Sequence, residues 1–504
     1  MTSPAVGSAL LQFQEWCLGR PSFAVWKSLE GPALTPGQMQ AARAARLQEL
    51  FDHARRHIPG WRARLQQAPL RVDPACPGRA LEAVPVLTRS DFVRERESLW
   101  WRDTPHKVLK HVSGGSTDDN LEFYHGRERQ AWNRAIRWRA LSRLGIQPGD
   151  PVLHLWPHFP PDTPLEALKD RVRSFRNLVT NDREFDPRPF GDQTCRQALR
   201  QLTRQPGTLL FCFPSWAMEL LRYCQATGQA PTGLRSICCS GEVLYPTQRA
   251  ALTQAWGVPV FEEYGSQETG AIANDDHAGV FQLNAEHVLV EVLRNGKPAA
   301  PGELGEVVVT NLTSTLMPFV RYATGDVIRQ PEPGTPHWPG ELGPVCPRVE
   351  GRTSDLLLTG DGQLVTSRPL VEGLLQLFQG RPFHIRQQSP QACELHLLEP
   401  CAPHADQGAE QIRQHLGRTT QVTVVVGRAF APLRSGKHRF VCSRDAARQI
   451  AHDRQASDDL ARIWAQPVVG GLPLAGGTTG NPQGPTTGPN PPTGTPLAPG
   501  ESSR

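Results

Sequence analysis

Apolar residues recur at three- and four-residue steps between positions 37 and 68, at Ala41, Ala44, Leu47, Leu50, Phe51 and Ala54. That spacing gathers them on one face of a helix. Ile58-Pro59-Gly60 interrupts the run. At Val84–Asp91 the chain turns and restarts a helix, with Thr88 or Ser90 placed to cap it. From 108 to 330 short apolar runs take over, at Pro151–Trp156, Thr208–Phe213, Leu234–Cys239 and Val258–Glu262. Helical stretches at 127–144 and 246–256 lie between or beside them. This alternation predicts an α/β sheet with helical cover. Residues 286–293 and 304–311 alternate or run β-branched and predict strands of a β-rich subregion. Gly302-Glu303-Leu304-Gly305-Glu306 is a tight turn into the second of these.

Residues 331–347 are rich in Pro and Gly and break the pattern. Beyond Gly351 a hairpin is predicted, from Leu356–Thr359 through Gly360-Asp361-Gly362 to Leu364–Thr366. A helix over 369–379 and strands near 383–387, 393–398 and 421–426 complete a small α+β unit. Residues 466–504 are Gly, Pro, Thr and Ser with few large apolar groups. Such a segment cannot offset the entropy of ordering and is expected to be disordered. The expected divisions are therefore a large N-terminal α/β domain with mixed sheets and helices (1–350), a small α+β lid domain (351–465) and a tail (466–504). No internal repeat is present. A chain of 504 residues is in any case too long for one ordinary core.

Composition adds exclusions. The net charge is +5. Much of the positive charge comes from arginines on helical stretches, among them Arg134, Arg137, Arg139 and Arg143. These read as a solvated helix face, because no basic run with interleaved aromatics marks a nucleic-acid surface. The eleven cysteines include no Cys-x-x-Cys pair. An odd count without framework spacing or secretory signal predicts reduced thiols in a cytoplasm. Cys238 and Cys239 fall on one predicted strand, pointing to opposite faces. No apolar run approaches the ~18 residues of a membrane span.

The chemistry lies in separate blocks. Ser113-Gly114-Gly115-Ser116-Thr117 fits a phosphate cradle, since glycines expose backbone N–H groups and hydroxyls donate to phosphate oxygens. It is not the Gly-x-x-x-x-Gly-Lys-Ser/Thr loop of P-loop nucleotidases. Further on stand Ser240-Gly241-Glu242, Tyr264-Gly265-Ser266-Gln267-Glu268, Arg321-Tyr322-Ala323-Thr324-Gly325-Asp326, Gly351-Arg352-Thr353-Ser354-Asp355 and Ser435-Gly436-Lys437. Carboxylates beside glycine and aromatic residues suit a nucleotide. An acid holds magnesium or ribose hydroxyls, glycine admits close backbone, and a ring covers the base.

In order and spacing these blocks resemble the AMP-forming adenylating superfamily, specifically its phenylacetate–coenzyme A ligase-like branch, over roughly residues 35–445. The resemblance implies ATP-dependent activation of a small carboxylic acid to an acyl-adenylate. It implies transfer of the acyl group to a thiol such as coenzyme A. Glu268 would bind magnesium, Tyr264 cover the adenine and Asp326 accept the ribose hydroxyls. Arg352 would approach phosphate or ribose at a hinge, and Lys437 would neutralise charge at the α-phosphate. Ser113–Thr117, Ser240, Gly241, Glu242, Gly265 and Ser266 would complete the nucleotide site. Related ligases often pair, so a homodimer is an expectation; nucleic acid and membrane partners are not.

One departure keeps alternatives open. Where the family continues its loop with Gly, a variable residue and Pro, this chain has Asp118, Asp119 and Asn120. Two added carboxylates oppose a polyphosphate unless a cation intervenes. A nucleotide-binding member without ligase activity is therefore the second reading. Transfer to a carrier protein or an amine is the third. Asp275, Asp276, His277, Glu286 and His287 crowd one stretch, but with only Cys346 in the later region they make a poor zinc set, and His287 is assigned to a strand. Trp156, His158, Phe159, Phe213, Trp216 and Cys239 are candidates to line the acid pocket or to lie in the core.

Overall fold

The computed structural model describes residues 3–113, 121–158, 163–275, 280–335, 337–338, 341–430, 433, 435–443 and 472–473. Two helices that the apolar pattern did not announce open the chain, α1 (Pro4–Cys17) and α2 (Ser22–Leu29). Glu15 of α1 is buried, receives a hydrogen bond from Ser22 and pairs with Arg20 and Arg134. The expected 3.6-residue stripe forms α3 (Pro36–His57), closed by a Thr35–Gln38 capping box. Ala44, Leu47, Leu50, Phe51 and Ala54 are buried, whereas Ala41 is exposed and Arg43 turns inward to the Val288 carbonyl. After α4 (Pro59–Arg64), Thr88 caps α5 (Arg89–Glu95). The hairpin β1 (Leu109–Ser113) and β2 (Leu121–His125) leads into α6 (Arg127–Ser142).

The predicted alternation becomes one eight-stranded sheet. Its strands are β3 (Val152–Leu155), β4 (Asp182–Phe185), β5 (Thr208–Cys212), β6 (Leu234–Ser240), β7 (Val260–Ser266), β8 (Gly270–Asp275), β9 (Phe281–Leu283) and, later in the chain, Val345–Cys346. The order β4-β3-β5-β6-β7 is parallel, and β8, β9 and 345–346 continue it antiparallel. The crossovers are α7 (Pro164–Val179), α8 (Asp192–Arg204), α9 (Pro214–Thr227) and α10 (Pro246–Trp256). Side chains alternate across β3 and β6. Leu153, Leu155 and Cys239 enter the core that also holds Leu199, Leu202 and Leu221, while Val152 and Cys238 join Leu141, Phe211 and Phe261 on the opposite face.

A second, five-stranded antiparallel sheet contains β10 (Val288–Arg294), β11 (Lys297–Pro298), β12 (Leu304–Asn311), β13 (Tyr322–Arg329) and Gly351–Arg352. It is pinned by Arg321. That residue adopts φ 53, forms a buried ion pair with Glu291 at 2.9 Å and donates to the Val84 carbonyl at 2.7 Å. The first residue of the Arg-Tyr-x-x-Gly-Asp block is therefore a structural anchor. His287 lies just before β10 rather than in it.

The expected C-terminal elements are present as a hairpin (357–358 with 364–365), α11 (Arg368–Leu377), α12 (Ala405–Leu416) and a sheet built on His384–Ser389, Ala392–Leu398, Gln421–Gly427 and Val441–Ser443. Residues 1–473 form one compact unit. The C-terminal core reaches Tyr245 at the start of α10, whose ring lies 5.5 Å from that of Phe440. Apart from Leu472–Pro473, which pair with 425–426, the 466–504 tail lies outside the described residues. No described helix is long and apolar enough to cross a membrane.

Candidate active site

The carboxyl ends of parallel strands are where an open α/β sheet leaves a crevice. Here β5, β6 and β7 end on one cavity of about 760 Å³. At the end of β6 the chain turns on Gly241, at φ 81. A side chain there would strike the Phe213 ring at 2.7 Å. The turn delivers Glu242, whose carboxylate accepts from Ser215 N at 3.0 Å, Ser215 Oγ at 2.9 Å and His438 N at 2.7 Å. Burial nevertheless pushes its pKa above the usual carboxylate range.

The β7–β8 turn carries Glu268. Thr269 N donates to Ser266 Oγ at 3.0 Å, and the Thr269 carbonyl accepts from Asn311 Nδ2 at 2.6 Å. Arg129, buried on α6, donates to the carbonyls of Gln267 and Glu268 and lies 5.0 Å from the Phe123 ring centre. His111 Nε2 lies 2.6 Å from Gln267 Oε1. Backbone and neighbours are thereby fixed, and the Glu268 side chain lines the cavity.

From the second sheet comes Asp326, opposite Arg352 in register. Tyr264 Oη donates to Asp326 Oδ2 at 3.0 Å, and Arg352 Nε lies 3.8 Å from Oδ1. Arg352 is held by the Thr324 carbonyl at 2.9 Å and by Asp355 Oδ2, which accepts from its N–H at 2.9 Å. Burial raises the Asp326 pKa, against the pull of Arg352, Tyr264 and Lys437.

Lys437 arrives on a tight loop. Gly436 adopts φ 73, its carbonyl accepts from Trp216 Nε1 at 3.0 Å, and the Lys437 Nζ sits 5.6 Å from the Phe213 ring centre. Burial lowers the ammonium pKa and Arg352 adds to that. Glu242, Asp326 and Glu268 oppose it.

Of the sequence candidates, Ser240, Gly241, Glu242, Tyr264, Gly265, Ser266, Glu268, Asp326, Arg352 and Lys437 all line this cavity. Ser113 closes β1, and Gly114, Gly115, Ser116 and Thr117, with Asp118 to Asn120, lie outside the described residues. Among the pocket candidates Trp156 and Phe213 line the cavity, and Phe159 lies outside the described residues. The other three face elsewhere. Trp216 is buried and bonded to Gly436, Cys239 lies in the core on the opposite face of β6, and His158 Nε2 sits 3.1 Å from Asp170 Oδ2. The described members of the acidic-histidine stretch are also engaged, Asp275 with Arg249, Glu286 with Arg139 and His287 with Thr313. Among the described residues no three His, Cys, Asp or Glu groups gather to hold a metal by themselves.

Three of the four arginines correct the reading of a solvated face, while Arg143 is exposed. Arg134 pairs with Glu15 at 2.9 Å, Arg137 grips Glu263 with bonds of 2.9 and 2.7 Å, and Arg139 binds Glu286. Arg137 and Glu263 form part of the cavity wall. Their partners lie in distant segments, so helical spacing alone could not reveal them.

No family model matches the chain. The phenylacetate–coenzyme A ligase of Escherichia coli (strain K12) is 24% identical over 337 residues, covering 64% of this chain and 72% of that protein. The phenylacetate–coenzyme A ligase of Pseudomonas putida is 27% identical over 259 residues, 46% of this chain and 56% of its own. Among solved structures, a 2-hydroxyisobutyryl–coenzyme A ligase in the postadenylation state, in complex with 2-HIB-AMP, aligns over 84% of this chain and 91% of that one. Its TM-score is 0.60 at 19% identity. The chain thus has the fold of adenylate-forming coenzyme A ligases and is similar in sequence to phenylacetate–coenzyme A ligases.

Proposed function

We propose that this protein is an AMP-forming acid–thiol ligase. In the first step a carboxylate oxygen attacks the α-phosphorus of ATP, the bond to pyrophosphate breaks, and acyl-adenylate forms. In the second, a thiol adds to the acyl carbonyl and AMP leaves, giving a thioester. Coenzyme A is the acceptor favoured by the similarity to coenzyme A ligases. We place the reaction in a reducing cytoplasm, consistent with eleven free cysteines.

The observation that carries this reading is the convergence of Lys437 with Glu242, Glu268, Asp326 and Arg352, from five separate blocks of sequence, on one cavity. Asp326, fixed by Tyr264, offers acceptors for ribose hydroxyls. Arg352 places positive charge beside them. Lys437, held over Phe213, stabilises negative charge as it builds at the α-phosphate. Glu268 is the carboxylate available to magnesium, which takes most of its ligands from phosphate and water and would neutralise polyphosphate charge when bound.

Pyrophosphate exchange into ATP, dependent on an added carboxylic acid, tests the proposal. Exchange with at least one acid of a broad panel is expected. Absence of exchange with every acid, together with no calorimetric ATP binding, would overturn it.

A further inference from the structure

Beyond Lys437, Asp326 and Glu268 the cavity is also lined by residues of β3, β4 and α6, where its chemistry is distinct. Lys437 marks the place where carboxylate and phosphate meet. From there the wall runs through Phe213, Trp156, Phe211 and His154. Successive ring centres are 4.7, 5.4 and 5.1 Å apart. All four rings line the same cavity. A flat substrate suits such a wall.

Its far end is polar. His154 Nε2 lies 2.9 Å from Asp182 Oδ1 on the neighbouring strand, with the side chains 18% and 29% exposed. Glu184 stands opposite His154 in the β3–β4 register and lines the cavity too. Burial alone would raise the Asp182 pKa, but His154, Arg134 and Arg137 hold it below the usual range, so the group is a carboxylate. Arg134 and Arg137 are themselves paired with other acids, Glu15 and Glu263. A carboxylate only accepts hydrogen bonds. The His154 ring forms the wall beside these acids, with its Nε2 directed at Asp182. Asp182 and Glu184 thus present hydrogen-bond acceptors at this end of the cavity. An apolar tail pressed against it would dry these groups without replacing their water, which is costly.

We propose that the acid activated here is aromatic and carries a hydrogen-bond donor, a hydroxyl or an amine, at the end remote from its carboxylate, read by His154 and Asp182. This rests on the adenylation reading above and narrows its substrate class. An acceptor-lined site that loses its donor discriminates by more than a pocket that loses a methyl group.

The test measures acid-dependent pyrophosphate exchange with arylalkanoic acids of several chain lengths. Each is supplied unsubstituted and with 4-hydroxy, 4-amino, 4-methyl and 4-methoxy groups. For the best chain length, kcat/KM should favour hydroxy or amino over methyl by roughly 10- to 100-fold. The comparison of hydroxy with amino identifies the donor. His154→Leu should collapse that ratio toward one. Asp182→Asn, nearly isosteric and now able to donate, should move the preference toward methoxy. It also serves as the second variant if His154→Leu fails to fold, as judged by thermal melting. Exchange with equal rates for donor and methyl acids, or ratios unchanged in both variants, overturns this inference and leaves adenylation standing. No exchange with any acid removes both.

Discussion

Lys437 has a pH signature. Its pKa is lowered from the ordinary 10.5 by burial and by Arg352. The ammonium is present below that lowered value and is lost as pH rises through it. Exchange should therefore decline on the alkaline side earlier than a free lysine would dictate. Lys437→Ala should lower exchange by roughly 100- to 1000-fold and remove that limb. A variant that keeps the wild-type alkaline profile would show that another group titrates there. Glu262 offers a separate case of structural titration. It is buried, accepts from Leu244 N at 3.0 Å, and has a pKa raised to about 7, chiefly by burial. Between the unfolded value of 4.5 and about 7 the unfolded chain releases a proton that the folded chain keeps, so stability falls as pH rises through that window. Glu262→Gln should be nearly neutral at the acid end and should gain about 1–3 kcal/mol above the window. Chemical denaturation at both ends checks the sign.

Elements whose period and composition agreed could be read from sequence alone. β12 was expected over 304–311 and spans Leu304–Asn311, and α10 over 246–256 spans Pro246–Trp256. β4 was missed because Asp182-Arg183-Glu184-Phe185 has one apolar residue and none that is β-branched, and it pairs along its length with β3. α6 shows a different limit. Its helical form was evident, but an arginine on a helix looks the same in sequence whether it meets water or a carboxylate far along the chain. The Arg137–Glu263 pair makes the distinction measurable. Glu263 is buried, so Arg137→Ala leaves its charge uncompensated and should destabilise the fold by about 3 kcal/mol. Adding Glu263→Gln should recover most of that loss. A double variant no more stable than Arg137→Ala would assign the effect to packing against Phe211, whose ring centre is 4.7 Å from the guanidinium carbon.

Across the whole molecule, the contacts that hold the Lys437 segment include Glu242 with His438 N and Trp216 with the Gly436 carbonyl at the sheet, and Asp355 with Arg439 at 2.5 Å beyond it. The blocks supplying them were legible, but their meeting was not, since nothing in sequence reports that Trp216 lies against Gly436. On the proposed reading these contacts hold Lys437 for acyl-adenylate formation, whereas thioester formation needs a thiol to reach the same carbonyl. They should therefore matter to the first step more than the second. Gly436→Ala puts a side chain at φ 73, with its Cβ 2.6 Å from Trp216 Cζ2. The indole is packed and cannot yield, so the loop must shift. A displacement near 1 Å costs about 100-fold when a group must meet a reacting centre. Gly436→Ala and Glu242→Ala should each slow acyl-adenylate formation by roughly 10- to 100-fold. Thioester formation from supplied acyl-adenylate should change by less than about 3-fold in both, since neither contact is asked to position the incoming thiol. Equal losses in both half-reactions would mean that the segment supports the fold rather than the first step, and Lys437 would then need a different account.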